Sequence, residues 1–369
     1  MDLRVNKNML WGAFAAFTFF QIAVSALAQE RTIAVVSPGD ESNEFWGNVI
    51  SLTRAAADDF GYRIIVHHAG DDADRFAALI DKATSGKETP KPDAVMFPNM
   101  EGKGAQLLSV AEKNGVPALT FNMGVDVNEA GRPRDRYKNW IGQLVPDDEE
   151  AGYLLAKKLI DAASESGTRN IEILAIAGRK TDTPSIDRIR GLKRAVAEYP
   201  GVSLNKVSYT NWTEKEAMDA ASQAAQKTPA VSVFWCASDR MAIAVSNALR
   251  RAGREVNKNL FVGGIDWTST GLIAVSENRL TATVGGHLIE GGWAVVLLHD
   301  YFNGKDFAGE STLLKTPMSV ADASNIDQYL ERLGENKWGQ INFTLYSKTR
   351  STRIDKYRFT LDTMLLQLR

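Results

Sequence analysis

The chain has 369 residues, 43 Lys and Arg against 45 Asp and Glu, a net charge of −2 and one cysteine. Near-neutral charge leaves no footprint for nucleic acid or an anionic membrane, and a lone cysteine excludes an intrachain disulfide framework and any multi-cysteine metal site. The length suits two domains rather than one.

Residues 1–28 read as a secretory signal peptide. Arg4 and Lys7 give a weakly basic start, Leu10 to Val24 is nearly all apolar, and Ala26-Leu27-Ala28 is an A-x-A cleavage site. The apolar core is too short for a stable span. The mature chain is expected to begin near Gln29 and to be exported and soluble. It would carry 41 basic against 44 acidic residues, a net of −3.

Thr32-Ile-Ala-Val-Val36 is a short β-branched apolar run of the kind buried in parallel sheets. The stretch Ser37 to Trp46 follows, and Gly47 to Ala57 then reads as a helix. Ser42 or Asn43 is the expected N-cap, with Glu44 in the electropositive first turn. The stretch is therefore a loop at the carboxyl end of a first strand, where open α/β sheets bind ligands. Phe45 and Trp46 beside Asn43 offer flat apolar faces next to an amide, which suits a sugar. The same two rings would also serve as core anchors of the helix.

Further strands are expected near 62–66, 93–97, 117–121, 138–142, 171–176, 203–209, 231–235, 260–264 and 281–284, with helices between most of them. Thr213 and Glu216 form a capping box, and Gly61, Gly115 and Gly253 stand where helices should end. Such alternation means parallel sheets covered by helices on both faces. Two βαβαβ runs flank the polar loop Gly124 to Asn139. The simplest architecture is α/β, two doubly wound lobes with a cleft between them.

Signatures of catalysis are missing. There is no P-loop, no G-x-S-x-G and no H-E-x-x-H. His67-His68 has no ligand spacing, and Asp71-Asp72 and Asp147 to Glu150 sit at helix starts, where acids are favoured. Cys236 lies inside the apolar run Val231 to Ala237 and reads as a buried core thiol. A sugar-active enzyme would need a carboxylate pair in the cleft, for which only Asp239 and Asp266 qualify. The expectation is a binding protein with no cofactor and no metal.

Five motifs in order resemble the type I periplasmic binding proteins of the ribose-binding kind, from about Arg31 to about Val320. They are Asn43-Glu-Phe-Trp46 after the first strand, Val116-Pro-Ala-Leu-Thr-Phe-Asn122, Arg188-Ile-Arg190-Gly191, Val233-Phe-Trp-Cys-Ala-Ser-Asp239 and Val262-Gly-Gly-Ile-Asp266. The resemblance implies two lobes joined by a three-stranded hinge. It also implies ligand contacts from Asn43, Phe45, Trp46, Asn122, Arg190, Trp212, Ser238, Asp239, Asp266 and His287. Arg190 stands where the resemblance implies the family's second arginine, which grips sugar hydroxyls. It falls at the edge of an apolar face marked by Ile186, Ile189 and Val196, where an arginine can also snorkel to water. Asp266 would accept from two hydroxyls or cap a helix. The family's usual acid after the fourth strand is Asn122 here, and Gly285-Gly286 replaces a polar contact, so the pocket has less charge and bulk than a ribose site.

A narrower likeness is to the receptor for the furanosyl-borate autoinducer, through Val36-Ser-Pro-Gly39, Phe45-Trp46, Asn122 and Trp235 to Asp239. Its second cationic contact would fall at Gly286, which argues against that signal as ligand. The resemblance implies a monomer with a saccharide-like ligand, no nucleic acid, and a membrane permease of an ABC-type importer as partner. A membrane sensor is the alternative partner.

The expected division is 29–143 plus 287–314 for lobe one and 144–286 plus 315–324 for lobe two, with 325–369 an extension packed on lobe two. In that extension Asn325 to Leu333 reads as a helix, while Ile341 to Leu345 and Tyr357 to Leu361 alternate like half-buried strands. Trp338, Phe343, Tyr346, Tyr357 and Phe359 lie around the basic Lys348, Arg350, Arg353 and Lys356. That composition fits either a wrapping tail or a docking surface.

Overall fold

The computed structural model describes residues 30–70, 72–87, 90–351 and 354–368. The expected signal peptide, Asp71 and Arg353 lie outside the described residues. One sheet holds β1 (Thr32–Ser37), β2 (Arg63–His68), β3 (Ala94–Phe97), β4 (Ala118–Phe121) and β5 (Trp140–Pro146). A second holds β6 (Ile171–Ala177), β7 (Val202–Tyr209), β8 (Val231–Cys236), β9 (Phe261–Asp266) and β10 (Ala282–Gly285). Two short strands, β11 (Leu313–Thr316) and β12 (Ser319–Asp322), add one edge to each. The strand orders are β11-β5-β4-β3-β1-β2 and β12-β10-β9-β8-β6-β7. All pairs are parallel except β10 with β12. Each sheet therefore winds outward both ways, reversing between β1 and β3 and between β6 and β8. A crevice opens at the carboxyl ends beside such a reversal.

The helices are α1 (Glu44–Phe60), α2 (Ala73–Thr84), α3 (Gly104–Asn114), α4 (Val127–Ala130), α5 (Asp148–Glu165), α6 (Thr183–Glu198), α7 (Glu214–Lys227), α8 (Asp239–Arg251), α9 (Ser269–Ser276), α10 (Glu290–Phe302), α11 (Ile326–Leu333) and α12 (Leu361–Leu365). Their ends follow the local chemistry. Asn43 caps α1 by accepting from the Trp46 N–H at 3.1 Å, and Thr213 caps α7 from the Glu216 N–H. Gly61 and Gly115 close α1 and α3 in the left-handed region, at φ 68° and 66°, where they satisfy orphan carbonyls without a Cβ clash. Cys236 is buried in β8, as the apolar run implies.

The chain crosses between sheets three times, at Pro146 to Asp148, Gly285 to His287 and Thr316 to Ser319. The first and third crossings lie past the boundaries expected at 143 and 314. Gln143 to Pro146 keep pairing with Leu313 to Thr316, so both strands stay in the first sheet longer than their sequence announces.

The extension differs most from expectation. Helix α11 forms and lies on α9, with the Tyr329 and Trp267 rings 4.3 Å apart. The chain then leaves lobe two and covers lobe one. Trp338 Nε1 donates to Asn48 Oδ1 at 3.3 Å, the Phe343 N–H donates to Asp59 Oδ2 at 2.7 Å, and Phe359 stacks on Trp293 at 5.2 Å. The expectation of an extension packed on lobe two is thus corrected. The reason lies in α10, whose residues from Glu290 to Asp300 are all buried. A largely apolar helix that is buried on every side needs cover on every side, and the tail supplies part of it. No strands form at 341–345 or 357–361; Phe343–Tyr346 is a 3₁₀ turn. The backbone donors there go to carboxylates instead of a neighbouring strand, including Asp59, Asp300 and Glu310. Trp338, Phe343, Tyr346 and Phe359 point inward and are buried, so their aromatic composition reflects packing and gives no argument for docking.

Candidate functional site

Both sheets aim their carboxyl ends at one cleft of about 770 Å³. Lobe one lines it with the β1–α1 loop, including Asn43, Phe45 and Trp46, and with Asn122 after β4. Lobe two contributes Arg179 and Asp182 after β6, Asn211 and Trp212 after β7, Ser238 after β8 and Asp266 and Thr268 after β9. His287 stands at the second crossing.

The floor is built around Arg188. Its Nε donates to Asp148 Oδ1 at 2.6 Å, its Nη1 to the Ala237 carbonyl at 2.7 Å and its Nη2 to His287 Nε2 at 3.2 Å. Asp266 Oδ1 lies 3.7 Å from Arg188 Nη1 and 3.5 Å from His287 Nε2. A guanidinium can only donate, so His287 Nε2 accepts and the ring proton sits on Nδ1. Burial, and then the charge of Arg188, push the imidazole down to about 3, so the ring is neutral. Burial pushes the Asp266 carboxyl up to about 7 although Arg188 pulls it down. Glu290, fully buried behind Asn122, is raised well above the carboxylate range by the same desolvation. The Phe45 ring lies 4.8 Å from the His287 ring.

The walls are shaped by backbone as much as by side chains. Asn122, Trp212, Asp266 and Trp267 all have positive φ, at 64°, 63°, 147° and 58°. Three of these four non-glycine residues line the cleft and the fourth adjoins Asp266, a concentration of strain typical of binding sites. Trp212 lies flat over Gly178, where a Cβ would stand 1.9 Å from the indole. Its Nε1 donates to Asp182 Oδ2 at 2.7 Å. The lobes also bond directly. The Thr270 N–H donates to Glu44 Oε1 at 3.0 Å, the Glu101 N–H to Asp182 Oδ1 at 3.1 Å and Thr183 Oγ1 to the Gly124 carbonyl at 3.0 Å.

Eight of the residues expected from the sequence line this cleft: Asn43, Phe45, Trp46, Asn122, Trp212, Ser238, Asp266 and His287. Two do not. The Arg190 side chain is 56% exposed and pairs with Glu149 and Asp187, while that of Arg188 is 4% exposed. Two residues along a helix turn the side chain about 200°, so only one of the pair can face in. The inward stripe is Ser185, Arg188, Ile189, Leu192 and Ala195. The expected stripe relied on Ile186, which is exposed; Leu192 and Ala195, at four and seven residues from 188, were the available signal. Asp239 is the other correction. It is fully buried beneath the cleft, accepting from the Thr268 N–H at 3.1 Å, from Thr268 Oγ1 and from Thr283 Oγ1 at 2.6 Å. It ties α8 to the Asp266 loop. Asp266 in turn does not cap α9; Thr268 does. The sequence reading missed Asp148, which the packing of α5 on α6 brings to Arg188, and Arg179 and Asp182, whose loop after β6 meets Glu101 and Trp212 only in the folded chain.

Every arginine lining the cleft has an acidic partner. Arg179 faces Glu101 at 3.7 Å and Asp182 at 3.6 Å, Arg188 faces Asp148, and Arg240 faces Glu214 at 2.9 Å. Among the described residues lining the cleft no cation is left to neutralise an anionic ligand, whereas paired charges, amides and flat rings suit a neutral polyhydroxylated one. Among the described residues no group of three His, Cys, Asp or Glu could hold a metal ion, and no helix is long and apolar enough to cross a membrane.

Two doubly wound lobes, three crossings and an interlobe cleft define a bilobal binding protein. The family model described as "Periplasmic binding protein domain" matches residues 33–306, and the chain belongs to that family. It is 26% identical over 258 residues to the D-apiose import binding protein of Actinobacillus succinogenes, covering 69% of this chain and 77% of that protein. It is 20% identical over 268 residues to the ribose import binding protein RbsB of Haemophilus influenzae, covering 71% and 82%. Among solved structures, a periplasmic sugar-binding protein from Pseudomonas fluorescens superimposes with a TM-score of 0.81 at 28% identity, covering 91% of this chain and 99% of that one. The fold is also that of a Shewanella arabinose-transporter binding protein bound to L-arabinofuranose, with a TM-score of 0.71.

Proposed function

We propose that this protein is exported to the periplasm, captures a neutral sugar or sugar-like molecule between its lobes, and presents it to an ABC-type importer without converting it. The observation that carries the reading is the floor of the cleft. Arg188, fixed by Asp148 and the Ala237 carbonyl, stands beside Asp266 and His287, with the rings of Phe45 and Trp212 on the two walls. Charge-assisted donors and acceptors at the floor with flat apolar faces around them match the two surfaces of a sugar. Asn43, Trp46, Asn122 and Ser238 complete the contacts. Ligand that touches both lobes favours the closed form by its differential affinity, and the crossings serve as hinge. Gly286, at φ 117°, supplies the backbone freedom there. The names of the relatives support the sugar class and the importer partnership. The protein acts as a monomer after cleavage behind Ala28.

A thermal-shift screen of D-apiose, D-ribose, D-allose and L-arabinose on the mature protein tests this. At least one is expected to raise the melting midpoint, and analysis of the recovered sugar should find it unchanged. No shift with any of the four, nor with any of a wider set of mono- and disaccharides, would overturn the sugar reading. Conversion above background, lost in Asp266→Asn, would overturn the binding-only reading.

A further inference from the structure

The cleft continues beyond its floor along α8. Arg240, Ile243, Ala244 and Asn247 all line it, at the i, i+3, i+4, i+7 spacing of one helix face. From Ser238 at the cap to Asn247 this face runs roughly 13 Å at 1.5 Å per residue. A single sugar ring held by Arg188, Asp266, His287 and Phe45 leaves the outer two turns of α8 untouched. Lobe one lines the same cleft with Pro38, Asp40, Ser42 and Gly70. Elsewhere the lobes meet directly, through Glu44 with Thr270, Glu101 with Asp182 and Gly124 with Thr183. Among the described residues no hydrogen bond or ion pair joins α8 to Pro38–Ser42 or Gly70. The lining of this outer part of the cleft is of mixed character. Ile243, Ala244 and Pro38 are apolar, while Asn247, Asn211 and Ser42 offer donors and acceptors. Arg240 is already matched by Glu214 at 2.9 Å, and Asp40 carries a further negative charge, so an anionic substituent finds no free cation.

Resting on the sugar-binding reading, we propose that this outer part of the cleft is a second subsite and that the ligand is a neutral two-ring glycoside. One ring occupies the floor and the second lies along α8, between Ile243 and Asn247 on one side and Pro38 and Ser42 on the other. The second ring adds contacts without a new charge.

Calorimetry with paired probes tests this. Each monosaccharide D-xylose, L-arabinose, D-glucose and D-galactose is compared with xylobiose, arabinobiose, cellobiose and lactose. The best two-ring probe is expected to bind at least about tenfold more tightly than its own monosaccharide, equivalent to about 1.4 kcal/mol. Asn247→Trp, which fills the outer part of the cleft from a partly exposed helix position, is expected to remove that advantage and leave monosaccharide affinity within about twofold. If monosaccharides bind as tightly as every two-ring probe, or if Asn247→Trp weakens both alike, the second subsite is wrong and the sugar reading stands. If no probe of either kind binds, the sugar reading fails and the subsite falls with it.

Discussion

Arg188 and Arg190 are two residues apart, and their environments predict opposite phenotypes. Removing Arg188 leaves Asp148 and Asp266 buried without their cation. Breaking a buried pair by deleting one partner costs roughly 3–5 kcal/mol, and the ligand loses its floor donors as well. Arg190 is solvent-exposed and its two ion pairs lie at the surface, where a substitution changes stability by less than about 0.5 kcal/mol. Arg188→Ala is therefore expected to abolish sugar binding and lower stability by about 3 kcal/mol or more. Arg190→Ala should match wild type in both. Denaturant melts and calorimetry on the two variants check this; a binding defect in Arg190→Ala would show that the helix is rotated relative to the arrangement described.

At the scale of elements, the packing of α5 on α6 puts Arg188 within reach of Asp148. Two glycines permit it. A Cβ on Gly191 would stand 1.8 Å from the Glu149 carbonyl oxygen, and one on Gly152 would stand 2.0 Å from the Arg188 carbonyl oxygen. Backbone cannot step aside as a flexible side chain can. Replacing a mid-helix glycine by alanine ordinarily gains up to about 1 kcal/mol in helix propensity. Here overpacking, typically roughly 1–3 kcal/mol and more against rigid backbone, outweighs the gain. Gly191→Ala is expected to destabilise by at least about 1 kcal/mol net. It should also weaken ligand binding, because α6 must move away from α5 and take Arg188 with it. An alanine variant as stable as wild type in urea would refute the close-packing account.

For the whole molecule, the buried ionisable groups under the cleft set how stability varies with pH. Burial raises Asp266 to about 7, and burial together with the nearby Asp266 charge raises Asp239 to about 7. In the unfolded chain both titrate near 3.8. Between these values the folded state holds protons that the unfolded state has released, so rising pH favours unfolding. This stabilisation is complete below about 4 and is lost as pH climbs through about 7. His287 acts the other way: neutral in the fold down to about 3, it binds a proton below about 6.5 only when unfolded. Above about pH 6.5 the histidine no longer contributes and the carboxyls act alone. The melting midpoint of the ligand-free protein is expected to fall from pH 6.5 to pH 8. Asp266→Asn, which cannot titrate, should show a smaller fall by scanning fluorimetry. An equal fall in variant and wild type would mean that Asp266 is ionised throughout. The tail enters at this scale too. It is anchored on Trp267 by Tyr329 and on α1 by Trp338, and the buried Asp300 gathers Ser347, the backbone of Lys348 and Thr349, and the Tyr357 hydroxyl. Leu361 packs where a Cβ on Gly286 would fall, 2.3 Å away.

The sequence alone determined the alternation of strands and helices, the two lobes and most of the cleft lining. Each of these rests on local signals: apolar β-branched runs, caps such as Asn43 and Thr213, and the rule that loops at the carboxyl ends of parallel strands face the ligand. Tertiary structure decided what depends on which surface meets which. Arg188 rather than Arg190 faces inward because α6 buries the stripe of Leu192 and Ala195 against α5. Asp239 lies below the cleft because Gly264 and Gly271 leave room for its carboxylate there and the Thr268 and Thr283 donors hold it. The tail lies mainly on lobe one because α10, buried on every side, needs a second cover, a demand made by a helix some forty residues earlier in the chain. Periodicity reports a segment's own preference; it carries no information about a partner that only the folded chain brings near.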